Sequence, residues 1–224
     1  MSPASTHKPK RPVRIGGASG GFTDRVAAIT RLARDPDVDA IVGDWLSENV
    51  MTGYGAGKQR LLQQYGAKEL EALPLEERKK TAQYASTFLQ CFEPAIDELA
   101  KNKTKLAVNA GASDTELLAK VCKQMTEAKG YELKVAWVEG DDVTRKFKEM
   151  LAGGTEFKSV DRMGLTITDW GFEPICAQAY LGSLGIAEAF RHGADIVICG
   201  RVSDAAPTIG ISAYVGCLVH INSY

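Results

Sequence analysis

The sequence predicts an α/β fold, a mostly parallel sheet with helices on both faces. Three observations lead there. Short β-branched runs end in small or polar residues and are followed by helical periodicity, which is the pattern of βαβ units. The run Asp195-Ile196-Val197-Ile198-Cys199 is continuously apolar at its centre, as in a strand covered on both faces. A glycine-rich turn, Gly16-Gly17-Ala18-Ser19-Gly20-Gly21, follows the first β-like run. A barrel-like closure alternates strands and helices in the same way and is the alternative architecture.

Residues 13–17 form the first expected strand and 24–34 the first helix, with Phe22, Val26, Ile29 and Ala33 near helical spacing. Asp35-Pro36-Asp37 breaks that helix, and 38–43 is a second strand ending at Asp44-Trp45. Residues 47–66 carry Gly53, Gly55 and Gly57 near Lys58 and Arg60, and read as a lid or loop. Residues 75–99 place Ala85, Phe88, Leu89, Phe92, Ile96 and Leu99 on one stripe, and Pro94 predicts a kink or two helices.

The third strand, 105–109, ends at Asn109-Ala110-Gly111-Ala112, and Ser113-Asp114-Thr115-Glu116 reads as a capping box. The next helix presents Leu117, Leu118, Val121, Cys122 and Met125 and stops at Gly130. Residues 133–138 are a fourth strand, 143–151 a short helix, and 155–174 a polar irregular segment with a small hairpin around 165–168. A fifth strand is expected over 177–181 and a helix over 185–192. The buried strand 195–199 then ends at Gly200-Arg201-Val202-Ser203-Asp204, and a helix starts after Pro207.

Composition excludes several classes. The 224 residues are 45% hydrophobic and 25% charged with net charge -1, so no global field draws nucleic acid or an anionic membrane. No apolar run reaches the roughly 18 residues of a membrane span. The five cysteines are scattered without CxxC spacing, as expected of reduced thiols in the cytoplasm. Residues 1–12 read as a disordered basic lead-in rather than a secretory signal, and 215–224 as an atypical apolar tail on a domain of residues 13–214. A small-molecule ligand is the expected partner, and self-association of the chain is left open.

Ligands of parallel α/β sheets sit beyond the carboxyl ends of the strands, so the strand ends supply the candidates. Gly17, Gly20 and Gly21 could cradle an anion at a helix N-terminus; the alternative is a tight strand–helix turn. Thr23 stands where a dinucleotide fingerprint needs its third glycine, and Asp44 is placed to be a ribose acid. Glu139, Asp141 and Asp142 put three carboxylates within four residues. They could hold Mg²⁺ or Mn²⁺ or supply a general base; the alternative is helix capping. Arg201 is suited to a carboxylate or phosphate, with Asp204 as its partner in either a site or an internal salt bridge. Asn109 could donate to a carbonyl or phosphate oxygen, or form an Asx turn. His7, His192 and His220 offer no metal site or triad, and neither a GxSxG elbow nor a Walker lysine pattern occurs.

Seven stretches in order carry a resemblance. They are Gly20-Gly21-Phe22-Thr23-Asp24-Arg25, Ile41-Val42-Gly43-Asp44-Trp45-Leu46, Val108-Asn109-Ala110-Gly111, Val138-Glu139-Gly140-Asp141-Asp142, Trp170-Gly171-Phe172-Glu173-Pro174, Ala179-Tyr180-Leu181-Gly182 and Gly200-Arg201-Val202-Ser203-Asp204-Ala205. Together they resemble the N-terminal domain of the acyclic terpene utilisation family, most closely its fungal branch. The resemblance implies an enzyme-type domain acting on acyclic terpenoid or related acyl-CoA or carboxylate intermediates, with a hydratase- or lyase-type step as one form. It leaves open a non-catalytic ligand-binding or partner subunit, or an inactive fragment. The cofactor is left unassigned, with a divalent cation, or a CoA thioester as substrate, as the candidates. From their places at the strand ends, Asp141, Glu139, Asp44 and Asp204 are the candidate catalytic residues, and Gly17, Gly20, Gly21, Asn109 and Arg201 the candidate ligand-binding ones. The family usually continues past the point where the resemblance stops, about Tyr214, which implies a C-terminally truncated chain.

Overall fold

The structure is a computed structural model that describes residues 12–21 and 24–216. The expectations for 1–11, for Phe22 and Thr23, and for 217–224 lie outside the described residues. Five strands form one sheet: β1 (Ile15–Gly20), β2 (Ala40–Asp44), β3 (Lys105–Val108), β4 (Val135–Val138) and β5 (Ile196–Cys199). Their order is β1-β2-β3-β5-β4 and every pairing is parallel. The register sets Gly20 opposite Asp44, Val108 opposite Ile198 and Val138 opposite Cys199, so all five carboxyl ends lie along one edge.

Side chains of a strand alternate between faces, and here each face has its own core. Ile41, Leu106, Val108, Ile196 and Ile198 face one cluster, with Ile29 and Ala33 of α1 (Ala28–Arg34), Phe88 and Phe92 of α5 (Thr87–Phe92), Ile96 and Leu99 of α6 (Ile96–Asn102) and Leu117, Leu118 and Cys122 of α7 (Thr115–Ala128). Ala40, Ala107, Val197 and Cys199 face the other, with Ile186 and Phe190 of α9 (Leu184–Arg191) and Ala206 and Ile211 of α10 (Ala206–Tyr214). The result is a sheet with helices on both faces. The adjacent strands β3 and β5 send their following helices, α7 and α10, to opposite faces. Their boundary is therefore the topological switch point, where the loops part and leave a crevice.

Several elements differ from the sequence expectations, each for a packing reason. Residues 48–65 are not a loop but the 18-residue helix α2 (Glu48–Tyr65), capped by the Ser47 hydroxyl, which accepts from the Val50 N–H. Its glycines serve close packing: a Cβ at Gly55 would collide with Cys176 and one at Gly57 with Gln83. Contact overrides their poor helix propensity. The helical pattern of 75–99 is preceded by a short helix α3 (Ala67–Ala72) and divides into α4 (Leu75–Lys80), α5 and α6; the break expected at Pro94 is a single 3₁₀ turn, Glu93–Ala95, as its missing N–H allows. The first helix starts only at Ala28, after a turn.

The expected capping box before α7 does not form. Asp114 makes no side-chain cap and accepts instead from Lys58 Nζ and the Gln83 N–H, both at 2.6 Å. The expected strand at 177–181 is a strap, bridged once to Asp142 and once to Val202. Ahead of it, after α8 (Thr144–Ala152), a 3₁₀ turn, Ile167–Trp170, stands where a hairpin was expected; a lone antiparallel bridge joins Lys158 to Thr166. This segment carries Val160, Met163, Trp170 and Phe172 exposed.

Candidate functional site

The ends of β2 and β3 are tied by a buried amide. Asn109 Oδ1 accepts from the Trp45 N–H at 2.6 Å, and its Nδ2 donates to Asp44 Oδ1. Asp44 Oδ1 also accepts from the Leu46 N–H at 3.2 Å. With its ring buried against Phe88, Trp45 cannot turn away. Asn109 and Asp44 thus hold the chain that leaves β2 on a fixed course.

Across the switch point β3 and β5 approach closely. The Gly111 N–H donates to Cys199 O at 2.8 Å. A Cβ at Gly111 would stand 2.7 Å from that oxygen, so glycine is required here. Gly200 plays the matching part after β5, since a Cβ there would enter the Asp141 carboxylate.

Asp141 comes from the end of β4 and is 4% exposed. Its Oδ2 accepts from the Arg201 N–H at 2.7 Å. Burial pushes its carboxyl above the usual 3.8; the Arg201 N–H opposes the shift, and the charges of Asp142 and Glu139 add to it. Asp141 lines an open cavity of about 310 Å³ with Ala112, Ser113 and Thr115 at the start of α7 and with Glu139, Gly140 and Asp142.

The three neighbouring carboxylates do not converge. Asp142 Oδ1 turns outward to accept from the Thr144 N–H at 2.9 Å at the start of α8, and Glu139 is exposed. Among the described residues no group of three or more His, Cys, Asp or Glu is placed to hold a metal.

Arg201 follows Gly200, and its side chain is 4% exposed. Its Nη1 donates to Leu46 O at 2.9 Å and to Asp204 Oδ1 at 3.2 Å. Its Nη2 donates to Glu48 Oε1 at 2.9 Å and to the Tyr180 hydroxyl at 3.2 Å, and its Cζ lies 4.5 Å from the Tyr180 ring centroid. One residue therefore joins the ends of β5, β4 and β2. The strap carrying Tyr180 is held to the same ends: Ala179 N–H donates to Asp141 O at 2.8 Å and Leu181 N–H to Arg201 O at 3.2 Å.

The glycine loop is arranged differently. Gly17 and Gly20 are part of β1 itself, with a bulge between Gly17 and Ser19. The loop's donors turn inward: the Ser19 hydroxyl donates to Asp24 Oδ1 at 2.7 Å and the Gly20 N–H to Asp24 Oδ2 at 3.2 Å. These bonds, the Ser19 hydroxyl first, hold the Asp24 carboxyl below 3.8. A Cβ at Gly17, Gly20 or Gly21 would meet nothing within 4 Å. The loop ends the edge strand, three strands away from β5, or roughly 14 Å at the usual strand spacing. Asp44 is its neighbour in register. The structure thus brings Asp44, Asn109, Asp141, Arg201 and Asp204 into one connected network and leaves Gly17, Gly20 and Gly21 at its margin.

Two members of that network, Glu48 and Tyr180, were not candidates from the sequence. The glycines of α2 hid the helix that presents Glu48, whereas Tyr180 stood in plain view within Ala179-Tyr180-Leu181-Gly182.

The profile of the acyclic terpene utilisation family protein AtuA matches residues 13–215. The chain belongs to this family. Five of the seven stretches that carried the resemblance end β2, β3, β4 and β5 or form the strap, the pieces that the Asn109 and Arg201 networks tie together; the stretch 20–25 begins at the end of the edge strand β1, and 170–174 precedes the strap. No curated protein and no solved structure gave a significant match.

Proposed function

We propose that this chain is an enzyme-type domain of acyclic terpene utilisation in which Asp141 moves a proton to or from an acyclic terpenoid, acyl-CoA or carboxylate intermediate. One observation carries the reading: Asp141, whose buried carboxyl is shifted upward by burial, lines a cavity of about 310 Å³ at the carboxyl ends of a parallel sheet. Perturbed carboxyls in clefts are the groups that serve as general acids and bases near neutral pH. A shift of this direction keeps a proton on Asp141 to higher pH than on an ordinary aspartate. The group is suited to protonate a leaving hydroxyl or an enolate carbon, and to take the proton back in the reverse sense. This is the chemistry of a hydratase- or lyase-type step. Glu139 and Asp142 line the same cavity and favour a neutral reacting group over an anionic one. The four cysteines among the described residues, Cys91, Cys122, Cys176 and Cys199, are unpaired, which fits a cytoplasmic protein.

The test is a thermal-shift screen of the chain against Mg²⁺, Mn²⁺, NAD, CoA, and medium-chain and terpenoid acids with their CoA thioesters, followed by turnover assays on each stabilising compound. A ligand of the folded state raises Tm. The expected result is a shift with an acyclic acid or thioester, with turnover that Asp141→Asn removes while the Tm shift persists. Binding with unchanged turnover in Asp141→Asn would overturn the role of Asp141. Binding without turnover in either protein would favour a ligand-binding subunit.

A further inference from the structure

The partners of Arg201 are unusual for a buried cation. A guanidinium taken out of water needs compensating charge. Its two ion-pair partners are surface groups, Glu48 with a side chain 74% exposed and Asp204 with one 69% exposed. Exposed carboxylates gain little from such pairs and lose little when they leave. Tyr180 accepts from Arg201 Nη2, which leaves its own hydroxyl proton available to donate. Its ring also lies along the guanidinium and fixes the plane in which Nη2 points.

The geometry points to a carboxylate-binding subsite made by Arg201 Nη2 and the Tyr180 hydroxyl, which Glu48 covers in this structure and which a ligand monocarboxylate takes in its place. The subsite rests on the reading of this sheet edge as the substrate site and adds the class of its ligand. A carboxylate restores the charge balance that Glu48 leaves behind. A phosphate dianion does so poorly, since Asp204 stays on Nη1 and Asp141 is bound to the same residue's N–H. The cavity beside Asp141 is lined by Glu139, Asp141 and Asp142 and by no Lys or Arg, so the acid group of a ligand is repelled there. The carboxylate of a ligand is thereby favoured at Arg201 over that cavity.

The probes are acetate, octanoate and inorganic phosphate, titrated into the full chain at matched ionic strength by calorimetry. Glu48→Gln keeps the shape of the side chain and removes the competing charge. It is expected to tighten acetate and octanoate about threefold to fivefold, the scale of an exposed ion pair. Tyr180→Phe in the Glu48→Gln background is expected to reverse that gain, while phosphate gains nothing from either change. Unchanged carboxylate affinity in Glu48→Gln, or an equal gain for phosphate, would overturn the subsite. That failure is separable from failure of the catalytic reading: loss of turnover in Asp141→Asn beside unchanged carboxylate binding in Glu48→Gln discards the subsite alone.

Discussion

The loop after β1 and the turn after β5 each close a parallel strand with glycine and carry a hydroxyl and a carboxylate close by, yet they treat polar groups in opposite ways. After β1, donors fold back onto the loop's own Asp24, whose carboxyl is exposed and held below 3.8. After β5, the Arg201 N–H reaches a carboxyl from another strand, and that carboxyl is buried and pushed above 3.8. One is a closed local turn at the sheet edge. The other sits where two faces of the fold part, around a carboxyl that water barely reaches and that accepts from the end of a neighbouring strand. A glycine-rich sequence alone does not distinguish the two; position in the sheet does.

The largest effect expected from this contrast is on turnover. For the stabilising substrate of the thermal-shift screen, Asp141→Asn should lower kcat by about 10²–10⁴, the range of general acid–base catalysis, whereas Gly20→Ala leaves it in place. Comparable losses from both would dissolve the distinction. Stability sharpens it next. Gly200→Ala drives a methyl into the Asp141 carboxylate and should cost about 1–3 kcal/mol in urea unfolding, as overpacking does. Gly20→Ala meets open space and should stay within about 0.5 kcal/mol.

Asn109→Ala leaves the buried Trp45 N–H without its acceptor and should cost about 1–3 kcal/mol. Asp24→Ala, on an exposed loop, should cost less than about 1 kcal/mol by the same measurement.

The smallest effect is in pH dependence, and here the two carboxyls differ in sign. Asp141 is raised in the fold, so the folded state binds the proton more tightly and burial of its charge costs stability as pH rises above 3.8. Asp141→Asn should gain on the wild type from pH 3.8 upward. Asp24 is lowered, so its contribution is present above 3.8 and is lost as pH falls through its folded value. Asp24→Asn should lose to the wild type above 3.8 and converge with it in acid. Stability curves of the two variants with equal slopes would contradict the assignment.

Much of this arrangement was legible in the sequence, because periodicity and strand-end residues are local signals. Phe88, Phe92, Ile96 and Leu99 are buried as their stripe predicts, and the run Ile196–Cys199 is buried throughout. Asp141, Asn109 and Arg201 were visible as polar residues following apolar runs. What sequence could not supply was strand order. It places the glycine loop at an edge and sets β5 between β3 and β4, and only then do Asp141 and Arg201 meet across sixty residues. The helix α2 was hidden because Gly55 and Gly57 break the helical pattern while serving contacts with Cys176 and Gln83, residues remote in sequence. The strap was read as a strand because alternation over 177–181 is the same whether a segment pairs along its length or only at two points.

The most direct test of the central claim is a ¹³C NMR titration of the aspartate carboxyls, with Asp141 and Asp24 assigned through their Asn variants. The account predicts that Asp141 titrates above 3.8 and Asp24 below it in the same folded protein. An Asp141 carboxyl that titrates at or below 3.8 would contradict it, because such a group is an ordinary ionised carboxylate with no proton to give.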